Sequence, residues 1–403
     1  LRSKKYVEEK FIQKQLTKLK TPSRKSKHIN IGYFSADFHD HATMWLILKV
    51  LAIHDRQKFK IYAYSYGPEK KDYIRQKLIE SVDVFKNVQK MSDEDIALLG
   101  QKDEIDIAVD LKGHTKNQRL GIFSYRPAPI QITYLGYPGS TGANFIDYII
   151  ADPIVIPKNQ LDSYSEKIIY LPNSYQPNNN TRAIANTSKK RKDLGLPEKG
   201  FIFCCFNNNY KISSVEFNIW MRLLKKVKGS VLWLLKSNRW AQGNLQKEAE
   251  KRGVKRSCLI FADKLPHEEH LARHKHADLF LDTFNVNAHT TASDALWAGL
   301  PVVTKLGNSF ASRVSGSLLN AIGLPELITD NENDYETLIL ELATNTNKLK
   351  RIKNKLANNR LVEPLFDTEK FTKHLEKGYE EAWYNYYESN DFKNIFVDKI
   401  TEK

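Results

Sequence analysis

FLDTFNVNAHTTASDALWAGLP, residues 280–301, reads as a short buried strand (LFLD), a loop rich in Asn, and a helix opened by His289-Thr290-Thr291 and continued by ASDALWAG. Thr at a helix start is a good N-cap, because its hydroxyl takes up an orphan backbone N–H. The first turn keeps other free N–H groups and a partial positive charge, which suits a phosphate. Asp294 lies three to five residues beyond the triplet, within reach of a ribose hydroxyl on the same ligand. The stretch therefore points to a nucleotide-diphosphate site in an α/β fold. The same residues also describe a capped surface helix after a strand.

Outward from this stretch, strands and helices alternate. In the first half, INIGYFS and FKIYAYS read as buried strands separated by an amphipathic helix from about Thr43 to Ile53, and IDIAVDL, PIQITYL, YIIA and KIIYL follow. A second series begins at Phe201 with FIFCCF, a helix near Val215–Lys228 and SVLWLL, and continues through SCLIFAD, DLFLD and PVVTK. Such alternation implies parallel, doubly wound sheets. The polar segment between the two series contains Pro, Asn and a basic run, and is the expected linker. The resulting division is a helical connector (1–28, with YVEEKFIQKQLTKL as its helix), an N-terminal domain (29–172), the linker (173–200), a C-terminal domain (201–345) and C-terminal helices (346–403). Two open α/β domains joined by a hinge suggest a cleft, with ligands outside the carboxyl ends of the strands.

At 403 residues the chain is too long for one core and suits two. Its 41% hydrophobic content supplies those cores, and no apolar run is long enough to span a bilayer. The chain begins at Leu1, not Met, so nothing is read from its start about targeting. Cys204, Cys205 and Cys258 show no CxxC spacing, and the first two lie in an apolar strand, as buried thiols of a reducing, cytoplasmic compartment would. The net charge of +15 favours anionic partners, among them nucleotide sugars, but the Lys and Arg residues are dispersed. A nucleic acid is not the expected partner.

Three further groups stand at strand ends. DFHDHATMW places Asp37, His39 and His41 in a loop before a helix, where a His can touch a phosphate or an acceptor hydroxyl. FNNNYK places Lys211 just past a strand, where it can pair with a phosphate as a point charge or be a solvated loop residue. RPAPIQITYLGYPGSTGANFIDY carries Gly136, Gly139 and Gly142 at every third residue, a loop whose backbone N–H groups can approach a ligand, or an ordinary turn-rich connection. It is not the GxGxxG of a dinucleotide binder. In LPHEEHLARHKHAD, His270 and His274 are spaced i, i+4, but no third ligand follows, so no metal is expected.

Taken together, residues from about Ile29 to Tyr386 resemble the catalytic region of the protein O-linked N-acetylglucosaminyltransferases. The blocks IGYFSADFHDH, RPAPIQITYLGYPGSTGANFIDYIIAD, YSEKIIYLP, CFNNNYKI, SVLWLL, PHEEHLARHKHADLFLDT, NAHTTASDALWAGLPVVT, ASRVSGSLL and EPLFDT occur in the family's order. The resemblance implies a GT-B type fold, two Rossmann-like domains facing a cleft with a C-terminal helical tail. It implies an inverting, metal-independent enzyme with no cofactor, which moves GlcNAc from UDP-GlcNAc to Ser or Thr hydroxyls of proteins. A glycan or lipid acceptor, or a non-catalytic nucleotide-sugar binder, is the alternative. The family's long insert between domains is reduced here to the linker, and residues 1–28 are expected to be a remnant of its junction with tetratricopeptide helices.

By the same resemblance, His289, Thr290 and Thr291 match the pyrophosphate-binding HTT, Lys211 the lysine on the UDP leaving group, and Asp294 the ribose carboxylate. His270 and Arg273 match residues that hold uracil, and His41 a histidine at the active-site mouth. Leu135, Gly136 and Pro138 match the LGYPG loop of the sugar pocket. Asn208 replaces the glutamine of FNQLYK and is grouped with the donor-binding residues. His267 replaces a lysine, Val286 a cysteine near the N-acetyl group, and Ala288 the Gly before HTT. Plant-type protein O-fucosyltransferases, which use GDP-fucose, lack the His of HTT, so His289 speaks against that branch.

Overall fold

The computed structural model describes residues 2–11, 28–389 and 391–400, and the chain divides into two compact units, Leu1–Asn179 with Asp367–Lys403, and Asn180–Phe366. In chain order the first unit holds α1 (Arg2–Lys10), β1 (Ile29–Ser35), α2 (Ala42–Ile53), β2 (Phe59–Ser65), α3 (Tyr73–Ser81), β3 (Val84–Asn87), α4 (Asp93–Lys102), β4 (Ile107–Asp110), α5 (Gly121–Ser124), β5 (Ile130–Thr133), β6 (Tyr148–Ala151) and β7 (Lys167–Tyr170). The second holds β8 (Ile202–Cys205), α6 (Ser214–Lys226), β9 (Val231–Leu235), α7 (Arg239–Lys251), β10 (Leu259–Ala262), α8 (His267–Arg273), β11 (Leu279–Leu281), α9 (Thr290–Trp297), β12 (Val302–Lys305), α10 (Val314–Ala321), β13 (Ile328–Thr329), α11 (Glu332–Thr344) and α12 (Thr346–Val362). The chain then re-enters the first unit as α13 (Thr368–Ser389) and β14 (Ile395–Phe396).

Both sheets are parallel and doubly wound. The first runs β14-β7-β6-β5-β4-β1-β2-β3 and the second β10-β9-β8-β11-β12-β13. Their strands are buried on both faces (β4, β5, β6 and β8 throughout), which is why they read as apolar runs without alternation. In each sheet the order reverses once beside the first strand, between β1 and β4 and between β8 and β11. Such a reversal opens a crevice at the carboxyl ends of the two strands, the usual ligand position of an open α/β sheet.

Three expectations shift. The stretch 173–200 is not uniformly a linker. Tyr175, Gln176 and Asn178 are buried in the first unit, with the Tyr175 N–H on Asp152 Oδ2 at 2.8 Å, and Arg182 is buried in the second. Polar side chains that find partners can be core, and composition alone does not tell them from a solvated hinge. The helical region expected from 346 also divides: α12 stays with the second unit, whereas α13 packs into the first through buried Leu375, Tyr379 and Ala382. There the Tyr379 hydroxyl meets that of Tyr33 at 3.2 Å, and Glu376 Oε1 meets His54 Nδ1 at 3.0 Å. The helix expected over Tyr6–Leu19 ends at Lys10, Phe11 follows it outside the helix, and residues 12–19 lie outside the described residues. No helix among the described residues is long and apolar enough to cross a membrane.

Candidate functional site

In the second unit the crevice is built around a carboxylate that the sequence reading did not single out. Asp282, the residue after β11, is fully buried. Its Oδ1 accepts the N–H groups of Thr283 at 2.8 Å and Ala288 at 2.6 Å, and its Oδ2 accepts the Thr304 hydroxyl at 2.7 Å. Burial pushes its pKa up to about 6 against these hydrogen bonds. The loop is closed further by Asn287, whose Nδ2 donates to Thr283 O at 2.7 Å and whose N–H donates to Ala311 O at 2.8 Å. Ser315 Oγ holds Ala288 O at 2.8 Å. The turn from β11 into α9 is thus fixed at both ends before any ligand arrives.

Lys211 leaves a short 3₁₀ turn after β8 and places its Nζ 2.8 Å from Asn287 O. Burial lowers its pKa, and the nearby Asp282 and Cys205 favour its charged form. His289 is the residue before α9, and its Nε2 donates to Ala311 O at 3.1 Å. Burial pushes its pKa down to about 3, so the ring is neutral and, with its proton on Nε2, keeps Nδ1 as an acceptor. Thr290 and Thr291 are the first two helical residues and not the cap, which His289 occupies without a capping side-chain bond. The Thr291 hydroxyl has another use: it donates to Asn207 Oδ1 at 2.5 Å and ties α9 to the end of β8. The N–H groups of Ala292 and Ser293 reach His289 O, so those of Thr290 and Thr291 are the first-turn donors without an intrahelical acceptor. Asn208 is exposed, and only its backbone carbonyl takes part, accepting the Lys211 N–H at 2.9 Å. The buried amide is that of Asn207, which also donates to Thr283 Oγ1 at 2.8 Å.

The other sequence-marked residues of this unit form one chain of contacts. Asp294 is buried, and Arg182 Nη1 donates to its Oδ1 at 2.6 Å. Burial raises the Asp294 pKa and Arg182 opposes the rise. Asp294 Oδ2 lies 3.9 Å from His270 Nε2, and Arg273 Nη2 sits 2.5 Å from His270 Nδ1. Because a guanidinium only donates, Nδ1 accepts and the His270 proton sits on Nε2, facing Asp294. Burial lowers the His270 pKa, which keeps the ring neutral. The Arg273 guanidinium lies over the Phe206 ring at 4.2 Å and donates to Asp263 O at 2.6 Å. His274 Nδ1 faces the carbonyls of His270 and Leu271, so the i, i+4 pair engages its own helix. Arg182 carried no motif to reveal it: it lies in the polar stretch that reads as linker.

The first unit presents a different set at its own crevice. Asp37 and His41 follow β1, and Lys112 follows the adjacent β4. Asp110, the last residue of β4, is buried, accepts the N–H groups of Lys112 and Gly113 at 2.9 Å each, and is pushed up to about 6 by burial. Beyond β5, Leu135 has φ +67° and Gly136 N donates to Tyr134 O at 2.8 Å, a γ-turn that a leucine adopts only under strain. Pro138 follows in the next turn, with Gly139 N on Tyr137 O at 3.1 Å. The glycine spacing has a cause within the fold as well. A Cβ on Gly136 would lie 2.0 Å from Leu111 O, and one on Gly142 (φ +70°) would lie 2.4 Å from Lys4 N. Both glycines make room for neighbouring backbone.

Residues 8–190 and 176–375 match the description Glycosyl transferase family 41. An Arabidopsis thaliana protein named Probable UDP-N-acetylglucosamine–peptide N-acetylglucosaminyltransferase SEC is 38% identical over 363 residues, 89% of this chain and 37% of that protein. The protein of Hordeum vulgare named Probable UDP-N-acetylglucosamine–peptide N-acetylglucosaminyltransferase SPINDLY is 31% identical over 388 residues, 92% of this chain and 40% of its own. A solved mutant O-GlcNAc transferase of Thermobaculum terrenum shares the fold with a TM-score of 0.88 at 26% identity, covering 96% of this chain and 74% of that one. The chain spans about two fifths of the length of the curated relatives it matches.

Proposed function

The chain belongs to glycosyl transferase family 41, and on that premise we propose that it moves GlcNAc from UDP-GlcNAc to Ser or Thr hydroxyls of polypeptides, with inversion and without a metal ion. The observation that carries this reading is the crevice between β8 and β11, where Lys211 Nζ and the first-turn N–H groups of α9 converge on one fixed loop. In a direct displacement the acceptor oxygen bonds to the anomeric carbon as its bond to the diphosphate oxygen breaks. The electron pair leaves with UDP. Lys211 and the N–H groups of Thr290 and Thr291 meet that charge as preorganised donors, the role a divalent ion fills elsewhere.

The remaining assignments follow the same logic. Asp294 keeps Oδ1 for Arg182 and offers Oδ2 to a ribose hydroxyl. His270, neutral with its proton on Nε2, offers a donor to a base carbonyl, and Arg273 holds that ring in place. His289 borders the pyrophosphate, and Asn208 stands at the rim of the donor site. Leu135, Gly136 and Pro138 line the sugar, and His41 acts at the acceptor side. Cys204 and Cys205, buried free thiols, support a reducing, cytoplasmic setting.

The test is transfer of label from UDP-GlcNAc, UDP-glucose and GDP-fucose to proteins of a cell extract, with Lys211→Ala as control. Lys211-dependent label from UDP-GlcNAc alone is the expected result. Label from another donor alone overturns the sugar assignment, and UDP binding with no labelled protein moves the acceptor to a glycan or lipid.

A further inference from the structure

At the crevice of the first unit, Asp37, His41 and Lys112 form a cluster of which Lys112 is buried and unassigned. Its side chain is 5% exposed, and its Nζ lies 2.5 Å from Asp37 Oδ2. The same oxygen is 3.4 Å from His41 Nδ1. His41 Nδ1 in turn accepts the N–H of Thr43 at 3.2 Å, as the cap of α2. Two acceptor atoms therefore face each other across 3.4 Å, and such a pair repels unless a cation shares one of them. Lys112 is that cation. We infer that Lys112 is a positioning residue that occupies Asp37 and so holds His41 in its neutral form with the proton on Nε2. The inference rests on the proposed role of His41 at the acceptor side and adds what keeps that ring poised.

The consequence is chemical. A histidine whose Nδ1–H is bound by a carboxylate becomes a stronger base at Nε2 and charges more easily. With Lys112 on the carboxylate, the ring instead turns an Nε2–H outward as a neutral donor, on a side chain 40% exposed. Of the charged groups facing His41, Asp37 alone opposes the others. Burial lowers its pKa first, Asp37 raises it, and Lys112, His39 and Lys70 lower it. The His39 ring lies 5.8 Å from that of His41. Asp40 and Asp72 are engaged elsewhere, Asp40 by Trp45 Nε1 at 2.8 Å and Asp72 by the N–H groups of Asp40 and Arg75.

The experiment is ¹⁵N NMR of the His41 ring, assigned with His41→Gln, as a function of pH on the ligand-free chain, so it reads out whether or not the chain transfers sugar. The native ring shows Nε2–H and a midpoint below the ordinary histidine value. Lys112→Met releases Asp37, shifts the proton to Nδ1 and raises the midpoint by about one pH unit or more. The acid limb of kcat/KM moves up by the same amount. Lys112→Arg, which keeps the charge, restores the native tautomer and midpoint. Should Lys112→Met not fold with Asp37 left alone, Lys112→Gln keeps a neutral donor on Asp37 and is expected to raise the midpoint as well. The double variant Lys112→Met/Asp37→Asn has no carboxylate to release and shows no rise. An unchanged tautomer and midpoint in a folded Lys112→Met or Lys112→Gln overturns the inference, as does an equal rise in the double variant.

Discussion

The two units share one topology and put their candidate residues in the same place, yet the two crevices are made of different material. Each sheet reverses its order beside its first strand, and each offers the ends of two adjacent strands. In the second unit the buried Asp282 spends its carboxylate on backbone N–H groups and a hydroxyl. Its product is a fixed loop that carries Lys211 Nζ on Asn287 O and leads into α9. In the first unit Asp110 likewise accepts backbone N–H groups, but beside it the side chains of Lys112, Asp37 and His41 act on each other. On the proposed reading, topology chooses the location of a site, and the residues at the strand ends choose whether it is a fixed anion cradle or a protonation device.

Breaking the buried pair of the second unit should have the largest effect. Arg182→Met leaves Asp294 buried without its cation and should lower stability by about 3–5 kcal/mol in denaturant melts. A loss below about 1 kcal/mol would place that pair in water. Next comes Lys211→Ala, expected to lower the turnover of transfer about 100-fold while UDP affinity, measured by calorimetry, changes far less. Equal losses in both would make Lys211 a ground-state contact and weaken the contrast between cradle and device. Gly136→Ala, which drives a Cβ onto Leu111 O, should cost about 1–3 kcal/mol. Thr291→Val removes the bond to Asn207 and should cost about 1 kcal/mol, seen as a small drop in Tm.

The smallest effect is one of slope, and it compares the units directly. Asp282 and Asp110 both have folded pKa values raised from 3.8 to about 6. A carboxyl raised in the folded state binds its proton more readily there than in the unfolded chain. Its stabilisation is therefore full below the unfolded value and is lost as pH rises through the folded one, between about 4 and 6. Denaturant melts across that window should show stability falling with rising pH. Asp282→Asn and Asp110→Asn should each flatten the fall, and two slopes left untouched would refute the burial of both carboxyls.

Much of this could be read along the chain. The strands from Ile29 to Lys305 other than β3 fall where expected, because a strand covered on both faces writes its burial directly into consecutive residues, whereas β3 (VFKN) is only half-buried at the sheet edge and was not expected. His289, Thr290, Thr291 and Lys211 were legible for a similar reason: each follows a strand closely enough for sequence spacing to fix its place. The misses have the opposite character. β14 is two residues long in a polar tail and exists only because β7 offers it an edge. The Gly136 and Gly142 spacing points to a ligand, but the spacing alone does not show the backbone segments distant in sequence that each glycine also makes room for. Asn207, buried beside the marked Asn208, was not distinguished, since adjacent asparagines look alike until one is buried.

What the sequence determined by itself was local and periodic: two parallel α/β units, the strand ends that bear the candidate residues, and the family to which those blocks belong. What only the tertiary structure decided was which polar groups face each other. Arg182 reaches Asp294 across 112 positions, Asn207 reaches Thr291 across 84, and Lys112 reaches Asp37 across 75. A hydrophobic strand announces itself because burial acts on each residue separately. A buried charge is tolerable only beside a partner, and the chain brings that partner from a distance no spacing rule spans.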